Sequence, residues 1–177
     1  MIKINAQKRR KKLLAILESA KNPIIGSELA DEFDVSRQVI VQDIALLRAG
    51  GKNILATSQG YIISNNNGMD MVRATIACKH NDHDVEDELM TIINYGAIVV
   101  DVIVEHPIYG ELNGLLMIKS AKDVKNFMEK YCQEEATLLA TLTGGVHLHT
   151  IEALNKEVIK RLKVALRQKG YLLNSRS

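Results

Sequence analysis

Five consecutive residues, Ser64-Asn65-Asn66-Asn67-Gly68, carry no apolar side chain and favour turns, so none of them can tie the backbone to a core. This break constrains the fold more than any other feature. The chain reads as two units, residues 1–67 and 68–177, each long enough to bury a core of its own. At 46% hydrophobic and 25% charged, the chain as a whole has the balance of ordinary globular protein.

Before the break the pattern is helix, helix, helix, hairpin. Leu13, Leu14, Ile16 and Leu17 recur at helical spacing in a helix over residues 7–20, which opens with Lys8-Arg9-Arg10-Lys11-Lys12. Asn22-Pro23 stops it, because a residue before proline avoids the α conformation. A short helix over residues 27–33 follows, and Asp34-Val35 makes a turn. Ser36 is suited to N-cap a third helix, whose inward stripe is Val39, Ile40, Ile44 and Leu47 and whose end is Gly50-Gly51. Ile54–Thr57 and Tyr61–Ile63, separated by Ser58-Gln59-Gly60, read as two strands of a wing.

Three helices with a tight turn between the last two can present the third to the DNA major groove. Only its first turns reach base edges, which selects Ser36, Arg37, Gln38 and Gln42. Arginine can bridge guanine O6 and N7, and glutamine adenine N6 and N7. Arg48 and the basic opening of the first helix suit phosphate contacts. Charge agrees in sign: residues 1–67 hold ten Lys/Arg against six Asp/Glu, and residues 68–177 thirteen against fifteen. With Gly26-Ser27-Glu28-Leu29-Ala30, Val35-Ser36-Arg37-Gln38, Asp43-Ile44 and Leu47-Arg48 in place, residues 7–63 resemble the winged helix-turn-helix modules of bacterial repressors.

After the break the order is strand (72–78), helix (85–95), strand (98–105), strand (112–118), helix (121–134), strand (146–151) and helix (155–169). Four strands with three helices suit an open-faced sandwich of the α+β class, the helices covering one side of the sheet. His147 and His149 stand two apart in a strand, so both imidazoles face one side and can aim at one ion. His80 follows a strand end, and Glu88 sits about one turn into the next helix, from where its carboxylate can return to the same point. Asp82, Asp84, Glu86 and Asp87 are read as helix-capping and solvated acids, and His83 as non-coordinating. Cys78 is either a thiolate donor, if its strand continues to His80, or a packed thiol. Two cysteines make no disulfide framework and fit reduced thiols of a cytoplasmic protein. Met1–Asn5 lacks a signal-peptide core, and no apolar run is long enough to cross a bilayer.

Ala77-Cys78-Lys79-His80, Val104–Gly110 and Thr143–Thr150 together resemble the three-histidine (3H) regulatory domain, over residues 70–177. With the winged helix in front, the whole chain is similar to the nicotinic-acid-responsive repressors of NAD biosynthesis and niacin uptake. That resemblance implies a phosphocarrier-like topology for the second unit. It also implies one transition metal ion per chain (nickel, with zinc or iron as alternatives), held by His80, Glu88, His147 and His149. Nicotinic acid is then the expected co-repressor, operator DNA the partner and a homodimer the working form. His106 and Tyr109 either line the effector pocket or merely belong to a turn held by Pro107 and Gly110. Two other readings are a sensor in which the metal itself is the signal and a metal-dependent enzyme fused to a DNA-binding domain. The second lacks a Gly-Lys-Ser motif and any phosphate cradle beyond the lone pair Gly144-Gly145, so a regulator without catalysis is expected.

Overall fold

In the computed structural model, which describes residues 5–63, 71–134 and 136–173, helix α1 (Ala6–Ser19) begins where the Asn5 side chain accepts the Lys8 N–H at 2.9 Å. Helices α2 (Gly26–Glu32) and α3 (Arg37–Ala49) are joined by a tight turn in which Asp34 takes φ 50°, a left-handed conformation aspartate tolerates. Ser36 occupies the N-cap of α3, but its side chain makes no capping hydrogen bond, contrary to the expected role. Strands β1 (Ile54–Thr57) and β2 (Gly60–Ile63) pair over Ser58-Gln59, and Tyr61 exchanges backbone bonds of 2.9 and 2.8 Å with Ile24. The wing is thereby stitched to the loop between α1 and α2. Leu13, Leu17, Leu29, Ile40, Ile44 and Ile54 form the core.

One polar group enters that core. Asp43 on α3 is 2% exposed and meets Arg9 at 2.5 Å and Arg10 at 3.3 Å. Sequence reading assigned the basic opening of α1 to phosphates, but Arg9 and Arg10 turn inward to neutralise this carboxylate. Lys8, Lys11 and Lys12 remain exposed.

The second unit comprises β3 (Val72–Lys79), α4 (Val85–Asn94), β4 (Ile98–His106), β5 (Gly110–Ile118), α5 (Ala121–Gln133), β6 (Val146–Ala153) and α6 (Lys156–Gln168). The strands form one antiparallel sheet in the order β3-β6-β4-β5, so the unit's first and last strands are neighbours, as in the phosphocarrier-like arrangement. Ile76 and Cys78 face the helices, whereas Arg73, Thr75 and Lys79 are exposed on the other side. A bulge between Val99 and Asp101 resets the alternation of β4. As a result Val99 packs in the core, and Val102, three residues on, also reaches the helix side. The chain divides into compact units at Met1–Asn67 and Gly68–Ser177. The expected linker, Ser64–Gly68, lies outside the described residues. No helix among the described residues is long and apolar enough to cross a membrane.

Arg9→Ala leaves the buried Asp43 carboxylate with the longer Arg10 contact alone. It is expected to cost the first unit about 1–3 kcal/mol, read as a lowered melting temperature. Lys8→Ala, at an exposed site, is expected to change stability by less than about 0.5 kcal/mol.

Candidate metal centre and nucleic-acid interface

Strand alternation puts His147 and His149 on the helix side of β6, and each is 3% exposed. Their neighbours on β3 are Cys78 and Ile76 respectively. His80 leaves the end of β3 against Gly145, whose carbonyl accepts the His80 N–H at 3.4 Å. Gly145 sits at φ +89°, and a Cβ there would fall on the His80 carbonyl, so only glycine permits this approach. Glu88, the fourth residue of α4, is 1% exposed and faces all three rings. Its Oε2 lies 2.6 Å from His80 Nε2, 3.3 Å from His147 Nε2 and 3.4 Å from His149 Nε2.

Each ring is fixed from behind. Nδ1 of His80 meets the Asn81 carbonyl at 2.9 Å, that of His147 the Gly145 carbonyl at 2.9 Å, and that of His149 the Asp101 carbonyl at 2.6 Å. Carbonyls only accept, so every Nδ1 carries the proton and the Nε2 atoms converge on the carboxylate. This is how metal-binding histidines are oriented and made more basic. Two donors each about 2.1 Å from one ion stand roughly 3.0–3.4 Å apart, close to the spacings of the His147 and His149 nitrogens from Glu88. The remaining carboxylate oxygen, Oε1, is buried without a hydrogen-bond partner. Three nitrogen donors, one carboxylate and an orphaned oxygen fit a divalent first-row ion.

The electrostatics favour positive charge at the same point. Burial alone would raise the Glu88 pKa, but the charge of His149 and hydrogen bonds from His147, His149 and His80 reverse this and hold it well below the usual range. Burial would lower His80 and His149, but the hydrogen bond to Glu88 and its charge, helped by the Asn81 and Asp101 carbonyls behind the rings, outweigh it and shift both up.

Outer contacts brace the cluster. Cys78 is fully buried, and its Sγ, a Glu88 oxygen and a His147 nitrogen all lie within 4.8 Å of one another. Burial first, and the Glu88 charge second, push that thiol far up. Asp87, expected to be a solvated acid, instead binds Lys169 Nζ at 2.7 Å and the Tyr171 hydroxyl at 2.8 Å; the lysine, then the tyrosine, hold its pKa down. The Tyr171 ring meets His80 edge-on at 5.3 Å. Residues 171–173 add backbone bonds of 2.8 Å to Lys79 and Ala77, so the segment after α6 clamps the strand end that carries His80. Asp101, whose side chain accepts bonds from Asn113 and the Thr150 N–H, was also missed. One acid within the apolar run Ile98–Val104 was the available signal. His83 is exposed and pairs with Asp84.

His106 and Tyr109 stand elsewhere, at the β4–β5 hairpin. Their rings are 4.9 Å apart, Tyr109 is 72% exposed, and the His106 Nδ1 accepts the Ile108 and Tyr109 N–H groups. In the first unit Ser36, Arg37, Gln38, Gln42 and Arg48 are all exposed. Gln38 and Gln42 lie one turn apart on α3, opposite the face that buries Ile40 and Ile44.

Cation binding must displace protons held between the imidazoles and Glu88, so adding nickel or zinc to chelator-stripped protein is expected to release protons. The signs differ between the two states. In stripped protein the raised histidine pKa values stabilise the fold below about pH 6.5, and this stability is lost as pH rises through the folded values. The depressed Glu88 contributes above its unfolded value near 4.5 and loses that contribution on acidification. Melting curves from about pH 6 to about pH 8 are therefore expected to fall for stripped protein, while the gain from added metal grows with pH.

The 3H domain family matches residues 73–175, and an HTH domain family matches residues 9–62. "Probable transcription repressor NiaR" of Thermotoga maritima is 44% identical over 167 residues, covering 94% of each chain. "Transcription repressor NadR" of Bacillus subtilis is 41% identical over 174 residues, covering 97% of each. With its helix-turn-helix unit in front and its three histidines closing on one glutamate behind, the chain belongs to the family that joins an HTH domain to a 3H domain.

Proposed function

We propose that this protein is a DNA-binding transcription repressor controlling genes of NAD biosynthesis and niacin uptake, with nicotinic acid as co-repressor. Its relatives are named as transcription repressors, and its first unit has the form of a base-reading module. The observation that carries the regulatory part is the convergence of His80, His147 and His149 on Glu88, each ring held by a carbonyl from behind. A transition metal held there, nickel ahead of zinc or iron, would supply Lewis acidity toward a carboxylate or ring nitrogen. The chain's own residues do the rest. The three imidazoles and Glu88 hold the ion, and Asp101, Asn81 and Gly145 fix the rings. His106 and Tyr109, on the exposed hairpin away from the cluster, are assigned to the turn, where the His106 ring accepts the Ile108 and Tyr109 N–H groups.

In the DNA unit, Arg37, Gln38 and Gln42 read base edges from α3, Ser36 contacts the duplex at its start, and Arg48 binds phosphate. A cytoplasmic homodimer matches two half-sites of a palindromic operator. Nicotinate can act only by binding the operator-competent state more tightly than the other.

Operator binding is measured for metal-loaded and chelator-stripped protein, each with and without nicotinate. The expected result is tightening of about tenfold or more only when metal and nicotinate are both present. Unchanged affinity of metal-loaded protein at saturating nicotinate defeats co-repression, and a full response to metal alone replaces it with metal sensing. Within the DNA unit, Arg37→Ala is expected to relax specificity at one base position, at a cost of about 1–3 kcal/mol. Arg48→Ala is expected to weaken all sequences alike and reduce the salt slope by about one.

A further inference from the structure

Beside the histidine–glutamate cluster lies a cavity of about 40 Å³. His80, Glu88, His147 and His149 form one part of its wall, and every other lining residue is apolar. Val102 and Leu116 line it from the sheet, Leu89 from α4, Phe127 from α5 and Leu139 from the turn before β6. Val102 sits in a row that crosses the whole sheet, Ile76–His149–Val102–Gly114. The row ends in a residue without a side chain, and Leu139 uses that space: a Cβ on Gly114 would stand 3.2 Å from Leu139 Cδ1. His149 of the cluster, Val102 and the glycine beneath Leu139 therefore share one line of the sheet.

A space that is polar only at the cluster suits a ligand with one charged group and an apolar body. An acid can approach Glu88 only with a cation between the two carboxylates, so the cavity and the ion are used together. We infer that this cavity is the ring subsite of the effector, which takes a single planar aromatic ring bearing a carboxylate, and that Leu139 gives way to admit it. The inference rests on the reading that a pyridine acid docks at the metal, and adds where its ring lies and which residues select it. A benzene-sized ring occupies a cavity of about 150 Å³, so the present volume holds no more than a few waters until the Leu138–Ala140 segment lifts from Gly114. Phe127, from α5, bounds the space against a second fused ring.

The test is calorimetric titration of metal-loaded, full-length protein with nicotinate and with quinoline-3-carboxylate, the same acid carrying a fused second ring. Metal content is measured in every sample, so loss through the ion is separated from loss through the ring. Wild type is expected to bind nicotinate and to bind the bicyclic acid at least about tenfold more weakly. Phe127→Ala is expected to bring the bicyclic acid to within a few-fold of nicotinate, and Leu139→Phe to weaken nicotinate about tenfold or more at unchanged metal content. If Leu139→Phe folds poorly, the Phe127→Ala arm decides, because it reads a gain of binding. Nicotinate binding that is insensitive to Leu139→Phe, together with a bicyclic acid still excluded by Phe127→Ala, overturns the ring subsite and leaves the co-repressor reading standing. Failure of metal-loaded wild type to bind either acid removes the co-repressor reading and the subsite with it.

Discussion

The second unit is organised around one charge it would be costly to bury alone. A carboxylate 1% exposed between a helix and a sheet loses its hydration, and without compensation that penalty amounts to several kcal/mol. Compensation comes from three directions: a strand end at His80, and alternate residues of β6 at His147 and His149. Much of the backbone detail follows from bringing these together. Gly145 lets β6 begin against His80, the β4 bulge brings Val102 to the helix side, and the Asp101 carbonyl holds the ring of His149. Neutral imidazoles with their lone pairs turned inward cannot balance a carboxylate by themselves. The arrangement calls for a cation, supplied either as protons on the rings or as a bound ion.

The proposed division of labour follows from the same economy of parts. Reading DNA needs an exposed, polar first turn on a well-anchored helix, and α3 is anchored by Ile40, Ile44 and the buried Asp43 pairs. Sensing a small acid needs a site whose occupancy changes how neighbouring elements pack. The cavity beside the cluster touches β4, β5, β6, α4, α5 and the turn before β6, so filling it acts on much of the unit at once.

The sequence was legible where a local period carried the information. Helical stripes in the first unit and the i, i+2 spacing of His147 and His149 are properties of a few adjacent residues, and they predict facing directions directly. Glu88, one turn into its helix, could be placed for the same reason. What escaped depended on pairings between distant segments. Asp87 looks like any acid in a first helical turn, and only the fold brings Lys169 and Tyr171 to it. Arg9 and Arg10 look like phosphate ligands until Asp43 is found beneath them. The cavity could not have been read at all, since its walls come from three strands, two helices and a separate turn that only the fold brings together.

The clamp after α6 carries a consequence of its own. Tyr171 and Leu173 hydrogen-bond to Lys79 and Ala77, next to the residue that offers the first imidazole, and the Tyr171 ring rests on that imidazole. Fraying of this short tail would free the strand end that carries His80, so the grip of the proposed site on a cation would depend on a stretch of polypeptide that supplies none of its proposed donors.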